Sequence, residues 1–113
     1  MNAYGRRVPW VPGPNDVDFR GTGRSIHDAI DEAFRRTGLA RDQFTVTRWG
    51  RTSQGKSFPV EWSGPGGAQV NLDFPHLQEG PDVPHVGWQR PGSRSSGEGA
   101  RGHIYVDEVP SGR

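Results

Sequence analysis

The sequence contains no cysteine. This absence excludes disulfide bonds, zinc sites built from thiolates and a catalytic cysteine nucleophile. The sequence also lacks an apolar run long enough to span a membrane and has no segment with the pattern of a signal peptide. We therefore expect that this domain does not insert into a membrane.

The formal net charge is close to zero, at +1, and only 30% of the residues are hydrophobic. Any affinity for phosphate must then come from local clusters such as Arg90, Arg94 and Arg101. Seventeen glycines and ten prolines favour short elements joined by turns, while four Trp and five Phe can fill a core. A length of 113 residues predicts a single domain, with a turn-rich leader over 1–20 that leads out of a longer protein and a mobile Gly/Ser-rich loop over 90–101.

One helix is indicated near the N-terminus. Ser25 is a good N-cap residue, and Asp28 lies three residues later, as in a capping box. Gly38 is a typical residue just past a helix end. The apolar positions between them recur at helical spacing: Ile26, Ala29, Ile30, Ala33 and Phe34. Together these signals predict a helix over about 26–37.

After the helix, the apolar period changes from 3.6 to 2, which is typical of strands. Strand-like segments occur at 44–49, 58–62, 68–74, 85–89 and 103–107. Turn residues separate these segments, and Pro59 favours an edge position or a bulge. The predicted fold class is α+β, with the N-terminal helix packed on one face of an antiparallel four- to five-stranded sheet. We expect Trp49, Trp62 and Trp88 in the core rather than as platforms for base stacking.

The alternation also predicts which polar side chains share the face of the sheet that the helix does not cover. We expect this open polar face to carry Glu61, Gln69, Asn71, Asp73, His85, Gln89, His103, Tyr105 and Asp107. Two histidines on neighbouring strands, with Arg101 nearby, meet the minimum needs of RNA cleavage. One group deprotonates the 2′-hydroxyl, another protonates the leaving 5′-oxygen, and a guanidinium stabilises the charged phosphorane. The pattern leaves open that both histidines merely occupy polar positions on a hydrated sheet.

The predicted catalytic residues are His85, His103, Arg101 and Glu61, and no cofactor is expected. Substrate contacts are predicted for Lys56, Arg90, Arg94, Asn71 and Tyr105. The alternative is a divalent metal ion at Asp73 and His76, although their spacing matches no strong signature. The segment 15–18 resembles part of a calcium loop but lacks the downstream glycine and glutamate, so we exclude it as a calcium site.

Several blocks of the sequence, in this order, resemble the C-terminal toxin domains of bacterial polymorphic toxins, including the LXG type: 12–23, 33–38, 56–62, 80–89 and 101–104. The resemblance implies a growth-inhibiting nuclease at the end of a larger secreted toxin. It also implies a cognate immunity protein and action in the cytoplasm of the target cell. Many such domains are similar to the barnase-like ribonuclease fold, whose active sites combine His with Arg, Lys or Glu. In this chain His103, His85, Arg101, Glu61 and Lys56 offer those residue types.

Three functions remain open from the sequence. The first is a metal-independent ribonuclease that acts on RNA. The second is a metal-dependent DNase toxin of the same type, with DNA as substrate. The third is a non-catalytic binding or immunity-related module.

Overall fold

A computed structural model describes residues 13–74, 83–92 and 100–113. These residues form six strands and one α-helix: β1 (Val17–Asp18), α1 (Ile26–Thr37), β2 (Thr45–Arg51), β3 (Ser57–Ser63), β4 (Gln69–Asp73), β5 (His85–Gln89) and β6 (Arg101–Tyr105). Short 3-10 turns lie at Arg41–Gln43 and Pro65–Gly67.

Helix α1 has the predicted bounds because its ends carry the predicted caps. The Ser25 hydroxyl accepts from the Asp28 amide at 3.1 Å, and the Asp28 carboxylate accepts from the Ser25 amide at 3.0 Å. Gly38 ends the helix in the left-handed region, at a φ of 79°. That φ is strained for other L-residues, so glycine provides the exit without a steric cost.

The sheet has one strand more than the sequence predicted and is not wholly antiparallel. Its strand order is β1-β6-β5-β4-β3-β2, and β2 to β6 pair antiparallel as predicted. The additional strand β1 pairs parallel with β6, with Val17 opposite Ile104. Two residues are too few to show an alternating pattern, and β1 lies within the segment that was predicted to be a turn-rich leader.

The helix covers the predicted face of the sheet. The eight side chains expected beneath it are all buried: Val60, Trp62, Val70, Leu72, Val86, Trp88, Ile104 and Val106. Phe34 joins the helix to this core through edge contacts with Phe44 (4.9 Å between centroids) and Trp62 (5.4 Å). Burial of each large apolar side chain stabilises the fold by about 1.5–3 kcal/mol. Trp49 departs from the prediction, because 60% of its surface is exposed on edge strand β2.

The opposite face carries the predicted polar residues, but it is not open as expected. Asn71, Asp73, His85 and Tyr105 are all buried there. Both ends of the described chain contribute to this burial, since Asp16 contacts β6 and Arg113 contacts β4. The part of the face that solvent reaches is therefore smaller than the alternation alone indicates.

The C-terminal segment enters the sheet where β3 and β4 separate. The ladder between these strands has only three residue pairs, from Ser63–Gln69 to Glu61–Asn71. Beyond it, the carbonyl oxygen of Leu72 accepts a hydrogen bond from the backbone N–H of Arg113 at 3.1 Å. The guanidinium of Arg113 is thereby placed on the polar face.

Candidate active site

His103, in the middle of β6, is held by Asp16. Its Nδ1 lies 3.1 Å from Asp16 Oδ1, and its backbone N–H donates to the same oxygen at 2.9 Å. The hydroxyl of Tyr105 donates to the other carboxylate oxygen at 3.1 Å. With Nδ1 donating to a carboxylate, the neutral imidazole carries its lone pair on Nε2. The pairing therefore selects the tautomer and orients the ring.

Opposing effects act on the charges of this pair. Burial lowers the pKa of His103, and the hydrogen bond and charge of Asp16 oppose that effect without cancelling it. The positive charges of His85 and Arg101 lower the pKa of His103 further. For Asp16, burial raises the pKa, but hydrogen bonds from Gly13 and His103 lower it more, so the net shift is downward. The pair consequently favours a neutral imidazole beside an ionised carboxylate near neutral pH.

His85, on the neighbouring strand β5, is paired with Asp73. Its Nδ1 lies 3.0 Å from the carbonyl oxygen of Val83, and its Nε2 lies 3.2 Å from Asp73 Oδ2. Both partners are acceptors, so both contacts are satisfied only when the ring carries a proton on each nitrogen. The two contacts thus hold the His85 ring in one orientation.

The two histidine rings are in contact, but they differ in access to solvent. Their centroids are 5.1 Å apart with the planes at 82°, an edge-to-face arrangement. The side chain of His103 is 26% exposed, whereas that of His85 is 1% exposed. Of the two, only His103 is placed to meet a substrate in this structure.

Arg113 joins Asp73 to Glu61. Its guanidinium donates two hydrogen bonds to Asp73, at 2.7 and 3.0 Å, and a third to Glu61 at 3.1 Å. Burial raises the pKa of Asp73, but the hydrogen bonds from His85 and Arg113 lower it well below its usual range. The pKa of Glu61 is also lowered, first by a hydrogen bond from Thr47 and then by Arg113. Both carboxylates are therefore ionised near neutral pH.

Gly87 and Asn71 lie between His103 and Glu61, and we call these two residues the floor of the site. The strand register aligns His103, Gly87, Asn71 and Glu61 in one row across four strands. Gly87 has no side chain, and the Asn71 amide lies over it while donating to Asp73 Oδ2 at 2.7 Å. Adjacent strands lie about 4.8 Å apart, so the backbones of His103 and Glu61 are separated by about 14 Å. Gly87 and Asn71, which lie between them, are both buried.

The remaining predicted site residues lie in different parts of the molecule. Arg101 is on the polar face near His103, where it donates to the side chain of Gln89 at 3.0 Å. Tyr105 is buried beside Asp16, and Lys56 lies in the β2–β3 turn. Arg90 is on the helix side, where it donates to the carbonyl oxygen of Arg36 at 2.9 Å, near the end of α1. The structure thus brings Arg101 to the histidines but not Arg90 or Lys56.

Two predicted residues, Arg94 and His76, lie outside the described residues, as does much of the loop 90–101. Among the residues that the structure describes, no three His, Asp or Glu side chains form a group suited to a metal ion. Asp73 is already a partner of Arg113, Asn71 and His85. The alternative metal site at Asp73 and His76 stays a prediction.

Sequence reasoning missed two residues of this site, Asp16 and Arg113. Asp16 belongs to the segment that was considered only as a calcium loop, and Arg113 is the last residue of the chain. Asp16 and Asp18 flank Val17 in the sequence, but so short a segment does not indicate a strand. No pattern signals Arg113, because it reaches the face through contacts between residues far apart in sequence.

Comparison with known proteins gave one match. A family model described as Bacterial toxin 47 matches residues 11–113, which is most of the chain. No curated protein and no solved structure gave a significant match. In the parts of the chain that the structure describes, we found no helix with the length and apolar character needed to cross a membrane.

Proposed function

The chain belongs to the Bacterial toxin 47 family, and from this premise we propose that the toxin domain is a metal-independent ribonuclease in which His103 transfers the proton. The observation that carries the proposal is the His103–Asp16 pair, partly exposed on the polar face and in ring contact with His85. An imidazole that is held by a carboxylate and neutral near pH 7 is suited to act as a general base.

In the proposed reaction, His103 Nε2 takes the proton of an RNA 2′-hydroxyl. The 2′-oxygen then forms a bond to the neighbouring phosphorus, and the bond from phosphorus to the 5′-oxygen breaks. The leaving oxygen takes a proton from water, while His103 returns its proton to solvent. The products are a 2′,3′-cyclic phosphate end and a free 5′-hydroxyl end. No redox partner is needed for this balance.

Charge on the phosphorane is stabilised in this proposal by Arg101. Its guanidinium is on the same face as His103, and the contact with Gln89 restrains it. A guanidinium presents donors in a planar fork that matches two phosphate oxygens. Donors already fixed in place stabilise developing charge without reorganisation.

His85 acts in this proposal as a positioning residue rather than as a group that touches RNA. Its buried ring makes an edge contact with the His103 ring and helps to fix the position of that ring. The electrostatic interaction with His85 is one of the causes that lower the pKa of His103. Glu61 lies on the far side of the floor from His103. Its role in this proposal is to hold the guanidinium of Arg113 together with Asp73.

We further propose that the domain is carried by a larger secreted toxin, acts in the cytoplasm of a competing cell and is neutralised by a cognate immunity protein. Membership of a bacterial toxin family supports this context. Expression in bacteria with and without the product of the adjacent gene tests it, with growth as the measurement.

The proposed activity is tested by incubating the pure domain with total RNA in excess EDTA. We expect fragments with 2′,3′-cyclic phosphate ends. His103→Ala is expected to lose the activity, and His27→Ala is the matched control, since His27 is on helix α1. Intact RNA with the parent domain, or DNA cleavage that requires Mg²⁺, would contradict the proposal.

A further inference from the structure

Trp49 is a large aromatic side chain that is mostly exposed on an edge strand. Its relative exposure is 60%, and the only comparable apolar side chain among the described residues is Phe74 at 50%. One exposed apolar residue is ordinary on a protein surface. Whether Trp49 binds a ligand depends on which face of the sheet carries it and on which residues lie beside it.

The strand register places Trp49 on the polar face. Trp49 pairs with Pro59, which alternates in β3 with the core residues Phe58 and Val60. Thr47, two residues earlier, accordingly donates to the Glu61 side chain at 2.8 Å on that face. The indole therefore lies on the same side of the sheet as the floor between His103 and Glu61.

The hairpin that carries Trp49 is rich in positive charge. The β2–β3 hairpin, residues 45–63, contains Arg48, Arg51 and Lys56 but one acidic residue, Glu61. Arg51 follows Trp49 by two residues and pairs with Ser57, so it projects from the same face. Its Nη1 donates to the carbonyl oxygen of Gly55 at 2.9 Å, which restrains the guanidinium at the hairpin turn, on the same face as the indole.

An exposed aromatic ring next to cations is the arrangement that binds single-stranded nucleic acid, because any base can stack on the ring while cations contact the backbone. Bases within a duplex are already stacked on each other and are not available to stack on such a ring. We propose that Trp49 and Arg51 form a subsite for single-stranded RNA, in which Trp49 stacks on a base and Arg51 contacts a phosphate. The identity of the ligand rests on the proposed function.

The subsite is separated from the scissile position. Four strand spacings lie between β6 and β2, so His103 and Trp49 are about 19 Å apart across the sheet. A strand bound at both places must span several nucleotides. The subsite thus predicts that the domain prefers unpaired RNA to duplex RNA. It also predicts a preference for segments of several nucleotides over very short fragments.

The test uses a short 2′-O-methyl oligouridine with a fluorescent label, because this RNA lacks the 2′-hydroxyl and cannot be cleaved. Binding is measured by fluorescence anisotropy at fixed salt. Trp49→Ala is expected to weaken binding by about fivefold to a hundredfold, the typical effect of removing one stacked base. Trp49→Phe retains a ring and is expected to lose less. Thr45→Ala, on the same exposed strand, is the matched control and is expected to bind like the parent.

A second measurement separates stacking from charge. Arg51→Ala is expected to reduce the slope of log affinity against log salt by about 0.7, the value for one phosphate contact on a single strand. Equal affinities of the parent and Trp49→Ala for the oligouridine would overturn the proposal. That result would favour a protein as the partner of the exposed indole. Absence of binding by the parent would overturn it as well. Because the probe cannot be cleaved, normal binding without ribonuclease activity would refute the proposed function alone.

Discussion

The rings of His103 and His85 meet edge to face with centroids 5.1 Å apart, and each ring is paired with its own carboxylate. His103 is partly exposed and its pKa is lowered, whereas His85 is buried and contacts acceptors through both nitrogens. The same residue type thus has two environments on adjacent strands. We expect His103 to transfer protons and His85 to position the His103 ring.

The pH dependence should identify His103 as a base. Its pKa is below the usual 6.5, so kcat/KM is expected to rise with pH up to that lowered value and then stay level. Asp16 opposes the downward shift, so Asp16→Asn removes a stabilising negative charge and should move the rising limb to lower pH. A limb that moves to higher pH, or a falling limb in the same range, would contradict the assignment. NMR titration of the His103 ring gives the pKa directly.

The cluster of Asp73 and Arg113 should contribute to stability in a pH-dependent manner. Arg113→Ala leaves a buried carboxylate with fewer donors and is expected to lower the free energy of unfolding by about 2 kcal/mol. The pKa of Asp73 is lowered in the folded state, so this stabilisation is present above its unfolded value of 3.8 and is lost as the pH falls further. Urea unfolding at several pH values should show the difference from the parent shrinking in acid.

The control for that measurement is Arg35→Ala, which removes an exposed partner of Glu32 on the helix and should change stability little. A difference between the parent and Arg113→Ala that grows on acidification would show that Asp73 is not the group involved.

Gly87 should be required for the floor of the site. A Cβ at this position would lie 3.0 Å from Asn71 Oδ1 and 3.1 Å from Nδ2, so Gly87→Ala must displace the amide that donates to Asp73. We expect a stability loss of about 1–3 kcal/mol, typical of overpacking, together with lower activity. In an Asn71→Ala background the same substitution should cost less. Equal costs in both backgrounds would show that the two side chains do not compete for this space.

Arg101 and Arg90 should respond differently although the sequence placed both in one basic cluster, with Arg101 predicted as catalytic and Arg90 as a substrate contact. Arg101→Ala is expected to lower activity, and Arg101→Lys should restore part of it because lysine keeps the charge without the planar fork. Arg90→Ala removes a contact to the end of α1 and should reduce stability rather than kcat. Steady-state kinetics with unfolding curves distinguish these outcomes, and equal kinetic losses for both alanine variants would contradict the structure.

The local signals of the sequence predicted much of the fold. The capping residues Ser25 and Gly38 bound the helix where they were expected to, and strict alternation assigned His85 and His103 to one face. These features depend on residues that are close in sequence, for which period and capping chemistry are informative.

The rest depends on contacts between distant segments. Asp16 meets His103 through a parallel pairing of two residues, and Arg113 enters the sheet at the point where β3 and β4 separate. Neither contact has a local pattern, so the sequence indicated an open face where the structure has a partly buried one. The exposure of Trp49 was missed because alternation assigns a face but does not show that this face is uncovered at the sheet edge.

The most direct test of the central claim is cleavage of a DNA oligonucleotide that contains a single ribonucleotide, in excess EDTA. If His103 activates a 2′-hydroxyl, the parent domain will cut only after the ribonucleotide, and His103→Ala will be slower by about 10²- to 10⁴-fold, the usual contribution of general acid–base catalysis. Cleavage of the all-DNA oligonucleotide, or an unchanged rate with His103→Ala, would contradict the account.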